Sequence, residues 1–231
     1  MIHFDFREGQ LLLINKPLYW TSFDLVNKVR SIIIKKFALT GLKVGHAGTL
    51  DPLATGLMII ATGKATKLLA GIQGEDKEYL ATLMFGSTTP SFDLETGIDK
   101  EYPYLHITKK TMNSSLQRFL GESLQKPPFY SAKLIKGKRA YKSARKGNIA
   151  ELEPVKIRIN EIEIIDFSLP VVKIRVSCSK GTYIRSLAHD IGIALESGAH
   201  LIALNRTRLG NFLLDNAISV KDFENLVLSL A

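Results

Sequence analysis

Apolar residues recur along this chain with two different periods. Leu11 to Ile14 is a short continuous run stopped by Asn15-Lys16-Pro17, which reads as a buried strand. Leu25, Val26, Val29, Ile32 and Ile33 repeat at helical spacing. They predict a helix capped by Thr21 or Ser22, with Asp24 in its first turn, reaching about Lys36. Residues 37–44 connect it to a glycine-punctuated loop, Gly45 to Gly56, and the apolar run Leu57 to Ala61 then reads as a buried strand. Leu68, Leu69 and Ile72 mark a short helix. From Lys77 to Phe85 the period becomes that of a strand, with Tyr79, Ala81, Leu83 and Phe85 on one side.

Gly86 to Gly97 is a polar loop carrying Asp93. Thr108 caps a helix containing Met112, Leu116 and Phe119 and ended at Gly121, and a second short helix is predicted around Ala140 to Lys146. Val155 to Phe167 and Val171 to Cys178 are long strands. In the second, Val172, Ile174, Val176 and Cys178 alternate with Lys173, Arg175 and Ser177, the mark of a half-buried antiparallel strand. Ser179 to Thr182 turns the chain into a helix whose apolar face is Ile184, Leu187, Ala188, Ile191, Ala194 and Leu195. Residues 201–214 hold another apolar run with Leu204, Arg206 and Arg208, and a last helix starts near Val220. Strands and helices mix without strict βαβ alternation, which points to α+β.

Composition narrows the class. With 231 residues and 45% hydrophobic content the chain can build a sizeable core in one or two domains. No apolar run approaches membrane-span length, and the start, Met1-Ile2-His3-Phe4-Asp5, lacks the form of a signal peptide. The single cysteine, Cys178, excludes an internal disulfide and a thiolate zinc cluster, so a cytoplasmic protein is expected. The net charge of +9 favours an anionic partner. From Gln125 to Gly147 there is no acid, while Lys126, Lys133, Lys136, Lys138, Arg139, Lys142, Arg145 and Lys146 alternate with Phe129, Tyr130 and Tyr141. Cations neutralise phosphates and aromatic rings stack on bases, so this stretch reads as a nucleic-acid contact loop.

The candidate chemistry is sparse. Gly63-Lys64 is no P-loop, because six residues separate Gly56 from Gly63 and Ala65 follows the lysine. His3, His46, His106, His189 and His200 form no close metal-ligand pair, and no metal is expected. One carboxylate, Asp51, lies in the loop Gly45-His46-Ala47-Gly48-Thr49-Leu50-Asp51-Pro52-Leu53-Ala54-Thr55-Gly56, held extended by the proline after it. By spacing alone this is either an ordinary Asp-Pro turn or a positioned catalytic acid. Arg185 falls in the first turn of a helix, where a cation is unfavourable; a buried carboxylate or a bound phosphate would offset that, and a solvent-facing arginine is the plain alternative.

The Asp51 loop resembles the catalytic motif of the bacterial TruB-type tRNA pseudouridine synthases. Leu13-Ile14-Asn15-Lys16-Pro17, Lys77-Glu78-Tyr79, Ser179 to Arg185, Gly198-Ala199-His200-Leu201 and Leu204-Asn205-Arg206 match the family's other motifs in order, over nearly the whole chain. The resemblance implies a pseudouridine synthase fold: a mixed, mostly antiparallel central sheet flanked by helices, an RNA-binding cleft and a thumb-like basic insertion at 126–147. It implies a single catalytic domain over 1–231; the family's additional C-terminal PUA domain is expected to be missing. By the same resemblance a uridine in the T-loop of tRNA, position 55 in tRNA convention, becomes pseudouridine without a cofactor. Asp51 is then the nucleophile, acting on the sugar, on the base or through a glycal. Arg185 pairs with Asp51, and Tyr79 stacks on the target base and assists a proton transfer. His46 contacts the RNA where the base leaves its loop, and Tyr183 and Leu204 line the base pocket. Lys133, Lys136, Lys138 and Arg139 bind RNA, and Lys16 and Asp93 are structural or RNA-contacting. The expected partner is the tRNA T-arm stem-loop, with no membrane and no obligatory protein partner, the chain acting as a monomer. A tRNA-binding folding helper is the alternative from another class.

Overall fold

The computed structural model describes residues 5–129, the short strands Leu134–Ile135 and Lys138–Arg139, and residues 152–230. In chain order the strands are β1 (Leu11–Lys16), β2 (Val44–His46), β3 (Ala54–Thr62), β4 (Lys77–Phe85), β5 (Ser87–Thr88), β6 (Lys100–Glu101), β7 (Gly121–Gln125), β8 (Leu134–Ile135), β9 (Lys138–Arg139), β10 (Val155–Ser168), β11 (Val171–Cys178), β12 (Ala199–Leu209) and β13 (Phe212–Leu213). The helices are α1 (Ser22–Phe37), α2 (Leu69–Gly74), α3 (Lys109–Gln117), α4 (Ile184–Ala194) and α5 (Val220–Ser229). The predicted helix at Ala140 to Lys146 lies outside the described residues. Contacts divide the chain into two compact units, Met1–Tyr79 with Leu204–Ala231, and Leu80–Ala203.

In the first unit β3 is the central strand. β1 runs antiparallel along one edge, with Leu11 opposite Ala61 and Lys16 opposite Gly56. β2 pairs antiparallel with the end of β3, and the last part of β12 pairs parallel with its start, Leu204 opposite Ala54. Leu57 through Ala61 are fully buried, which is why that run is apolar on both faces and shows no alternation. α1 begins at a capping box: the Thr21 hydroxyl accepts from the Asp24 N–H while the Asp24 carboxylate accepts from Thr21. Its buried face is Leu25, Val26, Val29, Ile32 and Ile33, as the spacing predicted. Phe223 and Val227 of α5 complete this core.

In the second unit the strand order is β4-β11-β10-β7, with β10 antiparallel to both its neighbours. Every second residue of β4 is buried, and α4 buries Ile184, Leu187, Ala188 and Ile191. The sheet is mixed and mostly antiparallel, and the class is α+β. Two expectations change. Gly121 does not simply end a helix: it opens β7, a strand whose Glu122, Ser123 and Leu124 are exposed and so carry no burial pattern. The 201–214 stretch is largely one long strand, β12, beginning at Ala199.

Candidate active site

The predicted loop Gly45 to Gly56 is shorter in the structure, because β2 takes Gly45 and His46 and β3 begins at Ala54. What remains, residues 47–53, is anchored on nearly every side. The Ala47 N–H donates to the Ile59 carbonyl at 2.9 Å. The Leu50 N–H donates to the Ser22 hydroxyl at 2.9 Å, and that hydroxyl donates back to the Leu50 carbonyl at 3.1 Å. The Pro52 carbonyl accepts from the Tyr19 N–H at 2.8 Å, and the Asp51 carbonyl accepts from the Ala54 N–H at 3.0 Å. Asp51, half-buried, therefore sits on backbone with little freedom.

Two fully buried cations complete the clamp. Lys16 Nζ donates to the carbonyls of Pro17 at 2.9 Å, Trp20 at 2.6 Å and Pro52 at 3.5 Å. Burial pulls its pKa from 10.5 down to about 8, and the negative charges of Asp51 and Asp24 pull it back up. Lys16 thus feels the Asp51 carboxylate directly. Its side chain has no exposed area. Arg206, on β12, reaches across β3: Nε donates to the Leu57 carbonyl at 2.8 Å and Nη2 to the Gly48 carbonyl at 3.3 Å. Its Nη1 is buried with no hydrogen-bond partner among the described residues, and it would lie 3.4 Å from a Cβ at position 48, where φ is +82°. Glycine at 48 serves both the left-handed backbone and the approach of the guanidinium.

His46 is half-buried, and its pKa is lowered chiefly by that burial, against a hydrogen bond to the Gly48 backbone that raises it. The ring is therefore neutral at pH 7. Leu204 is partly buried opposite Ala54 on β12, and Tyr79 is buried on β4. The structure thus gathers Lys16, His46, Asp51 and Leu204 on the loop and its flanking strands.

In the second unit Tyr183 caps α4 and is pinned from both sides by the buried Gln125, which accepts from its N–H at 2.8 Å and donates to its carbonyl at 3.0 Å. Arg185 is buried and pairs with the buried Asp93 at 3.5 Å. It also donates to the Ser91 carbonyl at 3.2 Å. Asp93 Oδ1 accepts from the Glu95 N–H at 2.9 Å. The buried carboxylate that a cation in a first helical turn called for is present, and Asp93 holds the arginine's direction. Beside it Phe92 stacks on His189 with ring centroids 3.9 Å apart. Lys133 and Lys136 lie outside the described residues, and only the backbone of Lys138 and Arg139 is described.

Sequence reasoning missed Arg206, because an arginine inside an apolar run reads as an exposed residue. It also missed Asp93 as the partner of Arg185, since nothing local joins residues so far apart in the chain.

A carboxylate on a braced loop, within this mixed sheet, is the arrangement of a pseudouridine synthase. Residues 35–184 match the N-terminal domain of the TruB family pseudouridylate synthases, and residues 185–230 match the tRNA pseudouridylate synthase B C-terminal domain. The chain belongs to the TruB family of pseudouridylate synthases. It is 56% identical to tRNA pseudouridine synthase B of Phocaeicola vulgatus over 95% of this chain and 93% of that protein. It is 54% identical to the protein of the same name from Parabacteroides distasonis over 96% of this chain and 95% of that one. Among solved structures it resembles one chain of a Cbf5-Nop10-Gar1 complex with a TM-score of 0.72 and 28% identity. A second is in an H/ACA RNP bound to a substrate RNA containing 2′-deoxyuridine, with a TM-score of 0.69 and 26% identity. Both matches cover 95% of this chain, which spans about half of each solved chain, 54% and 53%. Among the described residues no helix is long and apolar enough to cross a membrane.

Proposed function

We propose that this enzyme isomerises a uridine in the T-loop of tRNA, position 55 in tRNA convention, to pseudouridine, with Asp51 as its nucleophile. One observation carries the reading: the family's single acid stands on a loop fixed by Ser22, Tyr19, Lys16 and Arg206, in a chain more than half identical to a tRNA pseudouridine synthase B.

The reaction breaks the bond between uracil N1 and ribose C1′, turns the base, and joins C5 to C1′; C5 loses a proton and N1 gains one. Atoms balance without oxidant or reductant, so no cofactor enters. A carboxylate serving this chemistry must be ionised and held still. Two buried positive charges beside its loop favour the anion. Arg185 has donors enough to serve Ser91, Asp93 and Asp51, and in this reading its charge-assisted hydrogen bonds set the direction of the Asp51 oxygens. Tyr79 stacks on the everted base and assists the proton transfer, and stacking on an aromatic is worth on the order of 1–3 kcal/mol per base. Tyr183 and Leu204 line the base pocket. The neutral His46 contacts the RNA where the nucleotide leaves its stack, as enzymes acting on a base require. Lys133, Lys136, Lys138 and Arg139 neutralise phosphates of the T-arm. Both units serve one catalytic function, and the chain works as a monomer in the cytoplasm.

The test incubates unmodified tRNA with wild type and with Asp51→Asn and maps the product. Wild type is expected to form pseudouridine in the T-loop and the variant none; equal product from both would remove Asp51 from its role.

A further inference from the structure

The segment between β1 and α1 and the first turn of α1 carry aromatic side chains that fill no core. Tyr19 is 74% exposed and Phe23 67%, and Leu18 beside them is 43% exposed. A lone exposed apolar residue is ordinary. Tyr19 is held in place under strain: its φ is +67°, a left-handed backbone that bulky residues seldom adopt and that glycine would take more easily.

The segment is also sewn to the Asp51 loop. The Tyr19 N–H donates to the Pro52 carbonyl at 2.8 Å. Lys16 Nζ joins the Trp20 and Pro52 carbonyls, and Ser22 holds both backbone groups of Leu50. Phe23 is locked inside the capping box of α1, where the Asp24 carboxylate is turned onto the Thr21 N–H at 2.9 Å and hydroxyl at 2.6 Å. The two rings are therefore exposed on backbone tied to the loop that carries Asp51.

We propose that Tyr19 and Phe23 form a stacking ledge for the unpaired bases that neighbour the target nucleotide in the RNA substrate. This deepens the reading of the enzyme given above and rests on it. Everting a nucleotide leaves its neighbours without a stacking partner, and an aromatic face replaces what they lose whatever their identity. The one acid at the edge of this patch, Asp24, is turned onto Thr21. The patch is too small for a stable protein interface, which takes about 20–30 residues a side.

The experiment measures affinity of wild type, Tyr19→Gly, Phe23→Ala and the double variant for a T-arm stem-loop. The same stem-loop with an abasic site next to the target uridine is measured in parallel. Glycine relieves the strained backbone, so Tyr19→Gly folds, and its melting temperature verifies this. Each lost ring is expected to weaken binding roughly 5- to 100-fold. The salt dependence should be unchanged because no cation is removed, and Tyr19→Trp should keep the affinity. The abasic site should cost wild type far more than the double variant. Wild-type affinity in the double variant, or an abasic penalty equal in both, overturns the ledge. Conversion of the natural stem-loop by wild type is followed alongside: its absence strikes the parent function, and normal conversion with insensitive binding strikes the ledge alone.

Discussion

The loop bearing Asp51 and the turn bearing Arg185 each hold one charged side chain, by different means. Around Asp51 the buried cations Lys16 and Arg206 bind backbone carbonyls, at Pro17, Trp20 and Pro52 for the lysine and at Leu57 and Gly48 for the arginine. Carbonyls satisfy hydrogen bonds without cancelling charge, so the loop sits in a positive field that favours an ionised carboxylate. Arg185 is instead matched by a carboxylate of its own unit, Asp93. That pair is close to electrically neutral, and what it fixes is direction. The first unit thus leaves charge uncancelled around its carboxylate's loop, and the second cancels the charge of its arginine within the unit.

The comparison can be broken at either end. The largest effect is expected from Arg206→Met, which leaves the Leu57 and Gly48 carbonyls without their charged donor. Hydrogen bonds to charged groups are worth roughly 1.5–3 kcal/mol each, so denaturant unfolding should show a loss of about 3–5 kcal/mol, with turnover falling as the loop loosens. A loss near zero would mean that the guanidinium is not part of the clamp. Asp93→Asn keeps the shape but removes the charge opposite Arg185. A smaller loss, about 2 kcal/mol, is expected, with kcat falling more than KM rises; an unchanged kcat would deny that the pair sets direction.

The third effect is a pH dependence. Lys16 has a folded pKa of about 8 against an ordinary 10.5. Below pH 8 both folded and unfolded chains carry the proton and the full cost of burying the charge is present. Between about 8 and 10.5 the unfolded chain binds more protons, so this group raises stability as pH rises, by on the order of 2–3 kcal/mol. Comparing unfolding of wild type and Lys16→Met from pH 7 to 10.5 should show that rise only in wild type; parallel curves would mean that Lys16 is not titrating in the clamp.

Much of this was legible in the residues and some was not. α1 was readable because its cap, its first-turn acid and its apolar spacing agree. β4 and β11 showed their burial through alternation. The Asp51 loop stood out because glycines and a proline crowd a single acid. β7 was hidden because Gly121 to Leu124 are all exposed, so neither face is marked by burial. β12 was hidden by Arg206, a charged residue that a buried strand admits when tertiary partners take up its donors. Those partners, the Leu57 and Gly48 carbonyls, lie far off in sequence, and so does Asp93 from Arg185. Hydrophobic period reports which face is buried; it is silent on which buried polar groups meet.

The most direct measurement is single-turnover pseudouridine formation by Asp51→Glu. That change keeps the charge and moves the carboxylate outward by one methylene. If the braced loop exists to place the acid, RNA affinity should stay within about threefold while the rate falls by roughly 10²-fold or more, the cost of a reacting group displaced by about 1 Å. A glutamate variant working within about tenfold of wild type would contradict the claim that position, beyond charge, is what this fold provides.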